Sequence, residues 1–124
     1  MIKRRLWIPC STEEDPKQKM LWSASRIVTN LKAENCPYCS DSKLRFYYHE
    51  FEVLKPSRRG TLWVWCNNCN HWLHISGVKL EANVRYVRTK SDQEIAECEK
   101  KHRLLDTLNY FWENETIPHE FCLE

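Results

Sequence analysis

The sequence predicts an α+β fold, in which a three-stranded antiparallel sheet is flanked by two amphipathic helices. The middle of the chain contains aromatic-rich stretches bounded by turn-forming residues, a pattern typical of strands. On either side of this region, apolar residues recur at helical spacing. With 124 residues, 42% of them hydrophobic and only two glycines, the chain has the size and composition of one globular domain. It divides into residues 1–34, 35–80 and 81–124.

Residues 1–34 are predicted to contain a short edge strand and a helix. Leu6, Trp7 and Ile8 are apolar, and Pro9 restricts such a strand to a sheet edge because it lacks a backbone N–H. A helix is expected from about Pro16 to Leu31, with Asp15 as its N-cap. Apolar residues at helical spacing give this helix one face to bury. They are Met20, Leu21, Ala24, Ile27, Val28 and Leu31.

Residues 35–80 carry the most informative motif, two C-x2-C pairs separated by 26 residues. Four thiolates complete a tetrahedral shell for Zn²⁺, and each pair places two sulfur atoms on one side of the metal. We therefore expect one structural zinc ion. Its predicted ligands are Cys36, Cys39, Cys66 and Cys69.

Histidine ligands and disulfide bonds are the alternatives to an all-cysteine zinc site. His71 and His74 follow Cys69 closely, but residues three apart on a strand point to opposite faces of the sheet. The cysteine pairs also supply four ligands without them. Disulfide bonds are typical of exported proteins, and the N-terminal residues contain no apolar stretch long enough for a signal peptide. We expect reduced thiols and a cytoplasmic location.

Three strands are expected in this middle segment, at residues 43–53, 61–66 and 71–76, with a turn at 56–60. The segment from Cys36 to Ile75 resembles a zinc ribbon. That resemblance implies a metal-held β-hairpin fold but no particular activity. Zinc ribbons often have a glycine after the second cysteine of each pair. Ser40 and Asn70 stand at these positions here, and asparagine tolerates a left-handed backbone.

Residues 81–124 are predicted to hold a linker, one long helix and an acidic tail. Residues 81–90 fit either a strand or a linker. Ser91 and Glu94 form a capping-box motif at the start of the helix. Apolar residues recur at helical spacing from there to about Glu113. They are Ile95, Cys98, Leu104, Leu105, Leu108, Phe111 and Trp112.

No catalytic motif accompanies the cysteine pairs, so we expect a protein that is not an enzyme. A zinc ion with four cysteine ligands has no open position for water or substrate. Cys10, Cys98 and Cys122 lie outside the metal set and belong to no motif of a catalytic cysteine. The sequence contains no run of about 18 apolar residues, so we expect no membrane span.

The charge distribution favours a protein partner over nucleic acid. The net charge is only +2, and residues 81–124 carry ten acidic against six basic residues. Domains that bind nucleic acid usually have a strong basic excess. We expect a protein-binding module of the small bacterial inhibitor or immunity type, by analogy of size. A nucleic-acid-binding zinc ribbon is the alternative. Candidate contact residues are Lys55, Arg58, Arg59, Arg45, Trp63, Trp65 and Trp72.

Overall fold

The computed structural model describes residues 2, 4–10, 15–51 and 59–123, with the side chains of the first helix described from residue 19 onward. These residues form three helices and six strands, which confirms the α+β class. No helix among them combines the length and the apolar character needed to cross a membrane. In chain order, the elements are β1 (Ile8–Pro9), α1 (Asp15–Asn30), β2 (Arg45–His49), β3 (Arg59–Trp65), β4 (His71–Lys79), β5 (Val84–Arg85), α2 (Asp92–Lys100), α3 (Leu104–Glu113) and β6 (Cys122–Leu123).

The main sheet has four strands in the order β1-β4-β3-β2, so the expectation of a three-stranded antiparallel sheet is wrong. β2, β3 and β4 do pair antiparallel, but β1 joins β4 in parallel. The N–H groups of Ile8 and Cys10 donate to the carbonyls of Asn70 and Trp72, at 2.9 and 3.0 Å. Pro9 lies between them and has no N–H. This strand therefore fits the edge of the sheet, where the proline predicted it.

The strand limits differ from those that the aromatic pattern predicted. β2 is shorter than the expected 43–53, and residues 52–58, with most of the predicted turn, lie outside the described part of the chain. β4 continues past Ser76 to Lys79. Its pairing with β3 shifts register between Gly60 and Thr61, as at a β-bulge. Asp15, the expected N-cap, is the first residue of α1 itself.

Both faces of the main sheet are buried at β2 and β3, which explains why these two strands are so rich in aromatic residues. We call one the α1 face, because Met20, Ala24 and Ile27 of α1 belong to its core. We call the other the α2–α3 face, because Ile95 of α2 and Leu108 of α3 are buried there. The strands contribute Phe46, Tyr48, Leu62, Val64 and Leu73 to the α1 face, and Tyr47, Trp63 and Trp65 to the α2–α3 face.

The predicted single C-terminal helix is two helices, because the chain turns at residues 101–103. His102 has a left-handed backbone with φ 54°. Its N–H donates to the carbonyl of Glu99, and the N–H of Arg103 donates to that of Cys98, each at 3.0 Å. This is the Schellman pattern that ends many helices, usually with glycine in the left-handed position. α3 ends in the same way, with Glu115 at φ 55°.

The segment that fitted either a strand or a linker contains the short strand β5. It pairs antiparallel with the C-terminal strand β6, with Val84 opposite Leu123. This pairing accompanies the packing of Phe121 against the sheet. The rings of Phe46 and Phe121 stack with their centroids 5.3 Å apart. The end of the chain thus completes the core beside β2.

Candidate metal centre

The four predicted metal ligands come together beside the ends of β2 and β3. Their sulfur atoms all lie within 4.8 Å of one another. The Sγ atoms of Cys36 and Cys69 are 3.6 Å apart, and those of Cys39 and Cys66 are 3.7 Å apart. Sulfur atoms about 2.3 Å from a central ion are about 3.8 Å apart in a tetrahedron, whereas a disulfide brings them to about 2.05 Å. The four cysteines are positioned to bind a metal ion.

The two cysteine pairs share the same local backbone structure. The residue after the second cysteine donates its N–H to the carbonyl of the first, Ser40 to Cys36 at 2.9 Å and Asn70 to Cys66 at 3.0 Å. Ser40 and Asn70 both have a left-handed backbone, with φ of 60° and 65°. The left-handed conformation expected of Asn70 is confirmed, and serine adopts it too, although it lacks the tolerance of glycine. The chain therefore forms the same cysteine turn twice, and each turn directs two sulfur atoms toward the cluster.

Each pair contributes one buried sulfur ligand, Cys36 and Cys66, which are 1% and 0% exposed. The backbone N–H groups of Tyr38 and Asn68 donate to these two sulfur atoms, each at 3.4 Å. Burial raises the pKa of the Cys36 thiol, because a thiolate without a nearby cation is costly in the core. A bound metal ion supplies that positive charge, so these buried thiols suit a metal centre.

Each pair also contributes one half-exposed ligand, Cys39 and Cys69. Hydrogen bonds from the Asn68 side chain and the Asp41 backbone lower the pKa of the Cys39 thiol to about 6. Burial raises the pKa of the Cys69 thiol. The thiolate needed for metal binding is therefore favoured at Cys39 even before a metal arrives.

His71 lies beside the cluster but is not one of its four grouped ligands. In the described residues, that group contains the four cysteines and no histidine. His71 Nδ1 is 3.2 Å from Cys69 Sγ, and its ring stacks on Tyr38 with centroids 3.8 Å apart. His74 instead stacks on Trp63, on the α2–α3 face. His71 thus supports a ligand through a hydrogen bond, as side chains around a metal shell commonly do.

Of the four predicted basic contact residues, the structure describes Arg45 and Arg59. Lys55 and Arg58 lie outside the described residues, and Arg59 is exposed at the start of β3. Arg45 is held against α3, because its guanidinium donates to Asn109 Oδ1 at 2.8 Å and lies 3.3 Å from the carboxylate of Glu113. Arg45 therefore already has partners within the fold.

The predicted aromatic contact residues are mostly in the core. Trp63 and Trp65 are 3% and 0% exposed, so neither ring is available to a partner. Trp65 Nε1 donates to Asn109 Oδ1 at 2.9 Å. Trp72 is half-buried. Trp63 and Trp65 therefore cannot be part of a partner surface, because α2 and α3 cover them as core residues.

A buried polar network on the α2–α3 face was not predicted. His49, 1% exposed, lies 2.6 Å through Nδ1 from the hydroxyl of Tyr47 and 2.8 Å through Nε2 from Asp92 Oδ1. A carboxylate only accepts hydrogen bonds, so Nε2 carries the proton and Tyr47 donates to Nδ1. Arg88 donates to the same carboxylate at 2.5 Å. The network joins β2 to the start of α2. The sequence could not predict this network, because a single histidine among aromatic residues forms no recognisable motif.

Tyr47 in this network is not suited to act as a nucleophile. Its ring is only 2% exposed, and burial raises the pKa of the hydroxyl, so the phenol stays protonated. A nucleophile needs both access to a substrate and a means of losing its proton. The network is therefore best understood as a structural connection.

No protein-family model matches this chain, and comparisons with curated proteins and with solved structures found nothing similar. The metal centre is assigned from the cysteine geometry of the chain itself.

Proposed function

We propose that this chain is a non-catalytic binding protein in which one structural Zn²⁺ holds the end of the main sheet. The metal proposal rests on the four cysteine sulfur atoms, which all lie within 4.8 Å of one another. Thiolates are soft ligands, and a tetrahedral shell of four sulfur atoms is typical of zinc or of iron–sulfur sites. With all four positions taken by sulfur, zinc has no place for a reacting water.

The proposed ion would connect segments that are distant in the sequence. Cys66 directly follows Trp65, the last residue of β3, while Cys36 and Cys39 precede β2. A structural zinc site contributes about 10–16 kcal/mol of apparent binding free energy in small zinc-binding peptides, which is as large as the whole stability of a typical domain. The fold should therefore depend on the ion.

Metal removal tests this dependence. Treatment with a strong chelator should release one zinc per chain and abolish the folded circular dichroism spectrum in the same step. Cys66→Ser should lose both the metal and the fold. Cys122→Ser is the matched control, because Cys122 is an exposed thiol outside the cluster and its loss should change neither. A chain that keeps its fold after complete metal removal would refute the structural role.

The favoured partner of this chain is a protein, because its net charge is only +2 and residues 81–124 are acidic. Six large apolar side chains of the described residues are exposed, among them Leu6 at 85%, Trp22 at 60% and Ile8 at 42%. Such side chains are more typical of protein contact surfaces than of phosphate-binding ones. The burial of Trp63 and Trp65 also removes the rings that would have stacked on bases. A cytoplasmic inhibitor or immunity-type protein would have this small size and these reduced thiols.

Binding to generic nucleic acid discriminates between the two partner classes. We expect single- and double-stranded oligonucleotides to bind no tighter than about 100 μM at physiological salt. A tighter, steeply salt-dependent affinity would favour nucleic acid, if Arg59→Glu weakens it and Lys32→Glu, at another exposed basic residue, does not.

Capture of a protein partner tests the favoured class directly. Leu6→Asp with Ile8→Asp should abolish capture, because Ile8 in β1 and Leu6, two residues before it, are both exposed at this edge of the sheet. Val87→Asp is the matched control, since Val87 is 56% exposed elsewhere on the surface. If the parent, the double variant and Val87→Asp all capture the partner equally, the edge of the sheet at Leu6 and Ile8 is not the contact surface.

A further inference from the structure

Residues 4–10, which we call the N-terminal arm, connect α3 with the metal centre. The backbone N–H of Arg5 donates to Asp106 Oδ1 at 2.9 Å, and Trp7 Nε1 donates to the same oxygen atom at 2.8 Å. Asp106 lies in α3 and is only 6% exposed. Two hydrogen bonds to one buried carboxylate therefore fix the position of the arm on α3.

From this position, the Arg5 side chain reaches residues 66–70, the second of the two cysteine turns. Nη1 of Arg5 donates to the carbonyl of Asn67 at 2.9 Å and to Oδ1 of Asn70 at 3.3 Å. The backbone N–H of Ile8 donates to the carbonyl of Asn70 at 2.9 Å. The arm therefore holds the second turn through its backbone and through the Asn70 side chain.

These bonds stabilise a conformation that is less favourable for Asn70 than it would be for glycine. Asn70 has a left-handed backbone with φ 65°. The guanidinium that binds it is held by Trp7, because the central carbon lies 5.5 Å from the centroid of that ring. Arg5 is also positively charged, and a zinc ion with four thiolate ligands carries a net charge of about −2. Arg5 therefore favours the metal-bound turn through its hydrogen bonds and its charge.

The first cysteine turn, residues 36–40, is held by its own segment of the chain. The N–H of Cys36 donates to the carbonyl of Ser42 at 2.9 Å, and the N–H of Leu44 donates to that of Glu34 at 2.8 Å. Among the described residues, the hydrogen bonds from the arm to the metal centre go to the second turn. The two turns have the same backbone structure but different support, so the first turn is an internal control for the role of the arm.

We propose that Arg5 is a positioning residue of the metal centre, and that the N-terminal arm slows the release of zinc by holding the second turn in place. A competing chelator displaces thiolate ligands one after another, and Cys69 in this turn is half-exposed to it. A turn without the arm would let Cys69 leave the ion more often. Substitution of residues that hydrogen-bond around a metal shell typically lowers metal affinity about 10–100-fold. The inference rests on the proposed zinc site and adds a residue, outside the four ligands, that retains the ion.

Zinc release to an excess of a chromophoric chelator tests this role in the full-length zinc-loaded protein. Arg5→Gln should release zinc about tenfold faster than the parent. Arg5→Lys keeps the charge but not the planar guanidinium, so its rate should lie between those two. Arg4→Gln is the matched control, because Arg4 is the exposed neighbour of Arg5 and its loss removes the same charge. Release from Arg5→Gln and Arg5→Lys at the rate of the parent, or equally fast release from Arg4→Gln, would overturn the proposal.

Amide hydrogen exchange separates support of one turn from a general loss of stability. In both Arg5 variants, the N–H of Asn70, which donates to the carbonyl of Cys66, should exchange faster than in the parent. The equivalent N–H of Ser40 in the first turn should keep its rate. Equal acceleration in both turns, or none at Asn70, would overturn the role of Arg5. A parent protein without zinc would instead refute the proposed metal site, so the two failures are distinguishable.

Discussion

The two faces of the main sheet are held by different kinds of contact. On the α1 face, Met20, Ala24 and Ile27 pack against apolar strand residues. On the α2–α3 face, the buried residues include His49, Asp106 and Asn109, each hydrogen-bonded to another element. Apolar contacts are not directional, whereas hydrogen bonds fix the position of each partner. The comparison indicates that specific polar contacts help to locate α2 and α3, whereas the described contacts of α1 with the sheet are mainly apolar.

Among changes to the two faces of the sheet, truncation of a core leucine should have the largest effect, and it should be similar on both faces. Leu62→Ala on the α1 face and Leu108→Ala on the α2–α3 face each remove a side chain that is no more than 1% exposed. Each should lower the free energy of unfolding by about 2–5 kcal/mol. Urea unfolding measures this. Leu6→Ala is the control and should change stability by less than about 0.5 kcal/mol. A small effect of Leu108→Ala alone would mean that hydrogen bonds, not packing, dominate the α2–α3 face.

Removal of the Asn109 amide should affect only the α2–α3 face. Asn109 Oδ1 accepts from Trp65 Nε1 and from Arg45 Nη1. Asn109→Leu should cost about 1–3 kcal/mol, because it leaves a buried indole N–H without a partner. In the double variant with Trp65→Phe, that unpaired N–H is gone, so the combined cost should be smaller than the sum. Strict additivity in the double-mutant cycle would show that the two residues are not coupled.

Acid should weaken the α2–α3 face through His49. Burial lowers the pKa of His49, although its hydrogen bond to Asp92 acts in the opposite direction. The folded state therefore binds a proton at His49 less readily than the unfolded state does. The stability that neutral His49 contributes is complete above the ordinary pKa of about 6.5 and is lost as the pH falls below it. The loss should approach about 1.4 kcal/mol per pH unit.

The pH effect is measured by urea unfolding at pH 7.5 and 5.5 in the parent and in His49→Gln. Both proteins keep the cysteine cluster, so any acid sensitivity of the metal centre is common to them. The parent should lose more stability between the two pH values. Identical losses would show that His49 does not titrate between them.

The smallest expected effect concerns the end of α3. Glu115 has a left-handed backbone that glycine adopts without cost. Glu115→Gly should therefore raise the free energy of unfolding by about 0.5–1 kcal/mol. Glu113→Gly, at the last residue of α3, should lower it by a similar amount, because it places glycine in the helix and removes the carboxylate that pairs with Arg45. If both variants are destabilised, the Schellman ending of α3 is wrong.

The sequence predicted the local features well. The spacing of Cys36, Cys39, Cys66 and Cys69 identified the metal centre, because each pair forms a self-contained turn. The periodicity of α1 and the capping box of Ser91 and Glu94 were also sufficient, and both hydrogen bonds of that box are present.

Features that depend on distant contacts or on unusual backbone conformations could not be predicted. The break at His102 has neither glycine nor proline to mark it, so the apolar pattern continued through it. The pairing of β5 with β6 joins two-residue strands that are far apart in the chain. Apolar and polar residues alternate along a strand that has one buried face. Both faces of β3 are buried, so no such alternation marked Trp63 and Trp65 as core residues.

X-ray absorption at the zinc edge tests the central claim most directly, because it reports the identity of the metal and its ligands together. For the protein purified with its native metal, we predict one zinc per chain with four sulfur ligands at about 2.3 Å and no nitrogen or oxygen ligand. A shell of three sulfur atoms and one nitrogen would contradict the all-cysteine site and would implicate His71. A protein that folds without zinc would contradict the account of the sheet as a whole.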